Sequence, residues 1–107
     1  MMNNETNSCT ELTKLVTLLA KANIPFEIYP FTIGHSPTFL VASPNAENRV
    51  IDAVCHEYSY GGNKGLLEVM ADSIVEYDDV LGYLTAEEAF EHFVRYMKKV
   101  KKIKKTS

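Results

Sequence analysis

Apolar residues recur along this chain in two periods. From Leu12 to Leu19 the spacing is helical. Leu12, Leu15, Val16 and Leu19 stand at i, i+3, i+4 and i+7, the stripe of one amphipathic helix. Ser8 and Glu11 have capping-box spacing just ahead of it, so each side chain can satisfy an orphan backbone donor of the other. Asn23 suits the left-handed position that closes a helix, and Pro25 prevents continuation. A period of two takes over at Phe26. Phe26 and Ile28 alternate with Glu27 and Tyr29, which predicts a strand over FEIYPF. Pro30 has no N–H to give a ladder, so this strand belongs at an edge or carries a break. TIGHSP reads as a loop. TFLVAS and NRVIDAVCH read as two more strands, joined by the compact turn PNAE into an antiparallel hairpin. In the second of them Val50, Asp52 and Val54 share one face, and Ile51, Ala53 and Cys55 the other.

Beyond the segment HEYSYGGNKG the spacing reads as helical again. Leu66, Leu67, Val69, Met70 and Ile74 predict a second helix from about Lys64 to Ser73, which VEYDDVLGY connects onward. A third helix has the sharpest start. Thr85 and Glu88 form another capping box, and Leu84 and Ala89 hold the hydrophobic-staple positions. Ala89, Phe90, Phe93, Val94, Met97 and Val100 then continue as an apolar stripe. The expected class is α+β, in the order α-β-β-β-α-α, with a small antiparallel sheet packed by helices. Residues 1–8 are expected to be a disordered polar tail, residues 9–97 a single compact domain, and residues 98–107 a lysine-rich helical extension or tail. A length of 107 residues suits one domain, with no internal repeat and no linker to divide it.

Charge changes this picture at one end. The net charge is −3, but six of the eleven basic residues are Lys98, Lys99, Lys101, Lys102, Lys104 and Lys105. The preceding 97 residues hold five basic residues against fourteen acidic ones, a net of −9. An acidic body repels nucleic acid and a basic tail attracts it. The lysines also suit a helix C-terminus, whose dipole favours cations. Nucleic acid, the acidic body itself and a second subunit are the partners this tail could meet. No apolar run approaches the roughly 20 residues of a membrane span. MMNNETNSCTEL has no basic stretch followed by an apolar one, so a cytoplasmic location is expected. In that reducing setting Cys9 and Cys55 are not expected to pair.

Candidate chemistry concentrates in HEYSYGGNKGLLEVM. Glycines ahead of a helix allow close approach to its N–H groups, which makes an anion site. Lys64 adds charge, and Tyr58 or Tyr60 could stack on a ring; Tyr58, Tyr60, Gly61, Gly62, Asn63 and Lys64 are therefore the candidate ligand-binding residues. No Ser or Thr follows a Gly-Lys pair as a P-loop requires, and the dinucleotide fingerprint is missing. The competing reading is a tight connection in which glycines take positive φ and tyrosines cover the core edge. Cys55 and His56 are adjacent, so on a strand they face opposite ways and cannot pair as nucleophile and base. His35, His56 and His92 lack metal-ligand spacing with the cysteines. EYDD, Glu76 to Asp79, reads as a solvated turn without the oxygen-ligand pattern of a calcium loop. No cofactor and no catalytic residue is implied.

YSYGGNKGLLEVMA, VLGYLTAEEAFEHF and LTKLVTLLAKANIPFEI together resemble a group of small uncharacterised proteins from phages and mobile elements of Gram-positive bacteria. The likeness covers most of residues 12–97 and leaves out the lysine tail. It implies a compact domain in a bacterial or phage cytosol and carries no activity or residue role. The expected element order is also similar to that of the double-stranded-RNA-binding domain, but Lys64 stands where several basic residues would be wanted. The leading expectation is a non-enzymatic interaction protein with a host or self partner, able to form a homo-oligomer. The alternative is a module that binds an anion, nucleotide or nucleic-acid phosphate at Gly61–Gly65.

Overall fold

The computed structural model describes residues 10–71 and 80–106, and for Ser36 and residues 99–106 the backbone only. Helix α1 spans Thr10–Lys21. Its predicted stripe is its core face: Leu12, Leu15 and Leu19 are fully buried and Val16 packs beside them. The helix closes as Asn23 and Pro25 foretell. The Ile24 N–H donates to the Leu19 carbonyl at 3.0 Å and the Asn23 N–H to that of Ala20 at 3.1 Å, with Asn23 at φ 58. These two bonds satisfy carbonyls that a helix end otherwise orphans. The Ser8 cap, the N-terminal tail, Cys9 and the EYDD turn lie outside the described residues.

Five strands follow: β1 (Glu27–Ile33), β2 (Ser36–Ser43), β3 (Ile51–Val54), β4 (Leu67–Ala71) and β5 (Val80–Leu84). They form one antiparallel sheet in sequence order. β1 is an edge strand, the placement that tolerates Pro30. The loop expected at TIGHSP is much shorter. Thr32 and Ile33 pair with Pro37 and Ser36, so Gly34 and His35 make the whole turn. The β2–β3 hairpin forms as expected, but β3 begins only at Ile51, so the connection runs over Pro44–Val50 rather than PNAE alone, and Val50 packs toward the core instead of sharing a face with Asp52. Within its connection the Asn45 side-chain oxygen accepts the Asn48 N–H at 2.8 Å, a turn asparagine mimicking backbone.

The helix expected over Lys64–Ser73 is instead strand β4 as far as Ala71, the last described residue of that stretch. Leu67, Val69 and Ala71 are buried while Glu68 and Met70 face the other way, a period of two. So short an apolar run fits both periods, and tertiary pairing decides. Here β3 supplies the ladder, with Ala53 opposite Val69 and Asp52 opposite Met70. Gly65, at φ 75, also breaks any helical path into the run.

Helix α2 spans Ala86–Thr106, so the backbone is helical through the lysine-rich end. Its capping box is present in full. The Thr85 hydroxyl accepts the Glu88 N–H at 3.2 Å, and the Glu88 carboxylate accepts the Thr85 N–H at 2.9 Å. Both helices cover the same face of the sheet. Phe93, Tyr96, Ala86 and Ala89 of α2 join the α1 leucines and Val41, Ile51, Ala53, Cys55, Leu67 and Val69 in one core. Among the described residues no helix is long and apolar enough to cross a membrane. The α+β class and the single antiparallel sheet packed by helices hold.

Candidate functional site

Among the described residues, both helices lie on one face of the sheet and no element covers the other. Alternation and register give the membership of that open face. Tyr29 pairs with Leu40, Phe31 with Thr38, Leu40 with Val54, and Asp52 with Met70. None of these points into the core, which takes the alternate residues. β1 is thus apolar on both faces. Phe26, just before β1, packs on the core side and Ile28 lies on that side but is 46% exposed, while Tyr29, 48% exposed, and Phe31 lie on the open side. Met70 and Val80 are exposed on the same side, toward the far edge. The Phe31 ring meets the His56 ring edge-on with centroids 6.0 Å apart, and His56 meets Tyr58 at 6.4 Å. A band of aromatic rings therefore crosses from β1 to the β3–β4 connection.

Charged groups border this band. A groove of about 680 Å³ is lined by Glu27, Tyr29, Phe31, Leu40, Glu47 and Arg49, together with Ala46. The Glu27 carboxylate accepts the Ala46 N–H at 2.8 Å, which fixes the β2–β3 connection over the open face. Arg49 Nε stands 3.0 Å from the Asp52 carboxylate. Burial pushes the Asp52 carboxyl above its ordinary 3.8; Arg49 pulls it back, and the nearby Glu68 raises it further. Glu68 in turn accepts the Tyr60 N–H at 2.8 Å, tying the glycine-rich segment to β4. Four acidic side chains and one guanidinium thus share the open face and its rim.

The glycine-rich segment is a folded connection that ends in a strand. Gly62–Lys64 form a single 3-10 turn, and no helix N-terminus follows. The N–H groups of Gly62, Lys64, Gly65 and Leu66 are donated to carbonyls within the segment, at 2.9 to 3.0 Å. Gly61 has φ 89, and a Cβ there would stand 2.8 Å from the Tyr83 Cα. At Gly62 the requirement is space: a Cβ would overlap the His56 carbonyl oxygen. Ser59 locks the same corner, its hydroxyl accepting the His56 N–H at 2.9 Å and donating to the His56 carbonyl at 2.8 Å. Of the sequence candidates, Tyr58, Tyr60, Asn63 and Lys64 are exposed, while Gly61 and Gly62 are buried. Tyr60 lies against Gly82, and its carbonyl accepts the Tyr83 N–H at 3.2 Å, which brings two exposed tyrosines together at the β5 edge.

Cys55 is fully buried in the core, and the His56 ring lies on the open side with Phe31. His35 sits in the two-residue turn at the β1–β2 tip. Among the described residues no three His, Cys, Asp or Glu are grouped to hold a metal ion. Sequence reasoning missed Tyr29, Phe31, Leu40, Arg49, Asp52 and Glu68 as a group. A signal was present in β1: apolar residues on both alternating faces mean that the second face also has something to meet. Searched against models of known protein families, against curated proteins and against solved structures, the chain matches none of them.

Proposed function

We propose that this protein is a non-enzymatic binding module that engages a protein partner through the open face of its sheet. The observation that carries this reading is the aromatic and aliphatic band on the face opposite the helices, with Tyr29 and Met70 exposed, Phe31, Leu40 and Val54 half-buried between them, and charge at its border. A contiguous exposed apolar patch with a polar rim marks an interaction surface. Tyrosine supports the same reading, since it brings large apolar area and a polar tip to interfaces. Glu27, Glu47, Asp52 and Glu68 disfavour a phosphate backbone on this face.

A photo-crosslinking side chain at Tyr29, in the full chain expressed in cells, tests this. A discrete protein adduct is expected, competed by unmodified chain. The same group at Lys21, exposed on the helical side, should give none. Equal labelling from both positions would sink the reading.

A further inference from the structure

The open face and the C-terminal helix carry complementary chemistry, and one chain cannot bring them together. α2 packs on the helical side of the sheet and runs as one helix to Thr106. Its end therefore cannot turn onto the open face of its own sheet. Tyr96 is the last buried residue on α2 among those whose burial is described. The ten helical residues beyond it, 97–106, extend for roughly 15 Å. In sequence, Val100 and Ile103 continue the apolar spacing of Phe93 and Tyr96, with lysines at the positions between and beyond them. As a sequence, residues 98–105 hold two apolar residues among six lysines on a helical backbone.

The groove on the open face has the converse character. Its floor is Tyr29, Phe31 and Leu40, and Glu27 and Glu47 stand at its rim. Arg49, its one cation, is engaged by Asp52 at 3.0 Å. From Glu27 to Phe31 the β1 wall extends for roughly 14 Å, close to the length of the helix end.

We propose that the occupant of the open face is the lysine-rich end of α2 from a second copy of this chain. This rests on the open face being a protein-binding surface, and it names the partner. The positively charged helix end then lies along the groove, its charge opposite to that of Glu27 and Glu47 at the rim. The charge asymmetry between the tail and the body gains a purpose: each copy carries both halves of the contact. An interface this small gives a weak, reversible association rather than an obligate dimer.

Sedimentation equilibrium on the full chain tests it. The mass of the 12.1 kDa chain should rise with concentration at about 0.05 M salt, and the association should weaken by about tenfold or more at about 0.5 M, where exposed charges are screened. A face variant, Glu27→Lys with Glu47→Lys, and a tail variant, Lys99→Glu with Lys104→Glu, should each stay monomeric. Mixed together they should associate again, because each supplies what the other has lost. If the face variant misfolds by circular dichroism, Glu47→Lys with Tyr29→Lys replaces it. A chain that is monomeric at every concentration, or an association that the tail variant retains, overturns the proposal. If the chain is monomeric while Tyr29 still crosslinks a different protein, self-association fails and the binding-face reading stands. A tail that binds duplex RNA and no second copy also overturns it.

Discussion

The Glu11 carboxylate in α1 accepts the backbone N–H of Ala86, the first residue of α2, at 2.7 Å across 75 residues of sequence. Its other oxygen stands 3.2 Å from Lys14 Nζ. Glu11 therefore does for α2 what sequence spacing assigns it to do for α1: it satisfies an orphan donor of a helix N-terminus. Its negative charge there also suits the helix dipole. A hydrogen bond to a charged group is worth about 1.5–3 kcal/mol. Glu11→Ala should lower stability by about that amount, and Glu11→Gln by less, since the amide oxygen can still accept. Urea midpoints measure this; identical midpoints for all three proteins would remove the helix-joining role.

Glu11 and Asp52 should respond to pH in opposite directions. The Ala86 N–H holds the Glu11 carboxyl below its ordinary 4.5, with Lys14 assisting against burial. Its contribution is present above that value and is lost as pH falls through the depressed one. Burial raises Asp52 above 3.8, so the folded state there takes up a proton more readily than the unfolded. Its effect on stability becomes less favourable as pH rises from 3.8 through the raised value. The stability difference between wild type and Asp52→Asn should thus fall across that window and then level off. A difference that grows with pH would contradict the raised carboxyl.

Thr85 tests the other half of the same helix start. Thr85→Ala removes the acceptor of the Glu88 N–H and should cost about 0.5–2 kcal/mol. Thr85→Ser, which keeps the hydroxyl, should cost a fraction of that in the same denaturation experiment.

What was legible in the sequence was local. The Thr85–Glu88 box, the Asn23–Pro25 stop and the edge placement of Pro30 depend on residues a few positions apart, and all three are realised. LLEVM was not legible, because its identity depends on β3 being free to pair with it. The role of Glu11 was hidden for the same reason, since Ala86 is remote in sequence. The open face needed one further fact: that α1 and α2 lie on the same side of the sheet. Without it, Tyr29 and Phe31 are simply the other half of an alternating strand.

The glycine-rich segment separates backbone need from binding. Gly62→Ala should destabilise, because its Cβ meets the His56 carbonyl oxygen and backbone must shift. Lys64 is exposed, and Lys64→Ala should change stability by no more than about 0.5 kcal/mol. Tolerance of Gly62→Ala in thermal melts would mean that the segment repacks, and the close approach to His56 would lose its significance.

The two faces of the sheet should differ in energetic weight. Phe93 is fully buried between the helices and the sheet, so Phe93→Ala should cost about 3–5 kcal/mol in lost transfer energy and cavity formation. Tyr29 lies on the opposite face and is half exposed. Its ring already meets water, so Tyr29→Ala should cost less than about 1 kcal/mol. A binding surface requires this asymmetry, because residues kept for a partner contribute little to the isolated fold. Guanidinium denaturation of both variants decides it. If Tyr29→Ala proved as costly as Phe93→Ala, the open face would be part of the structural core, and its aromatic band would need no partner to explain it.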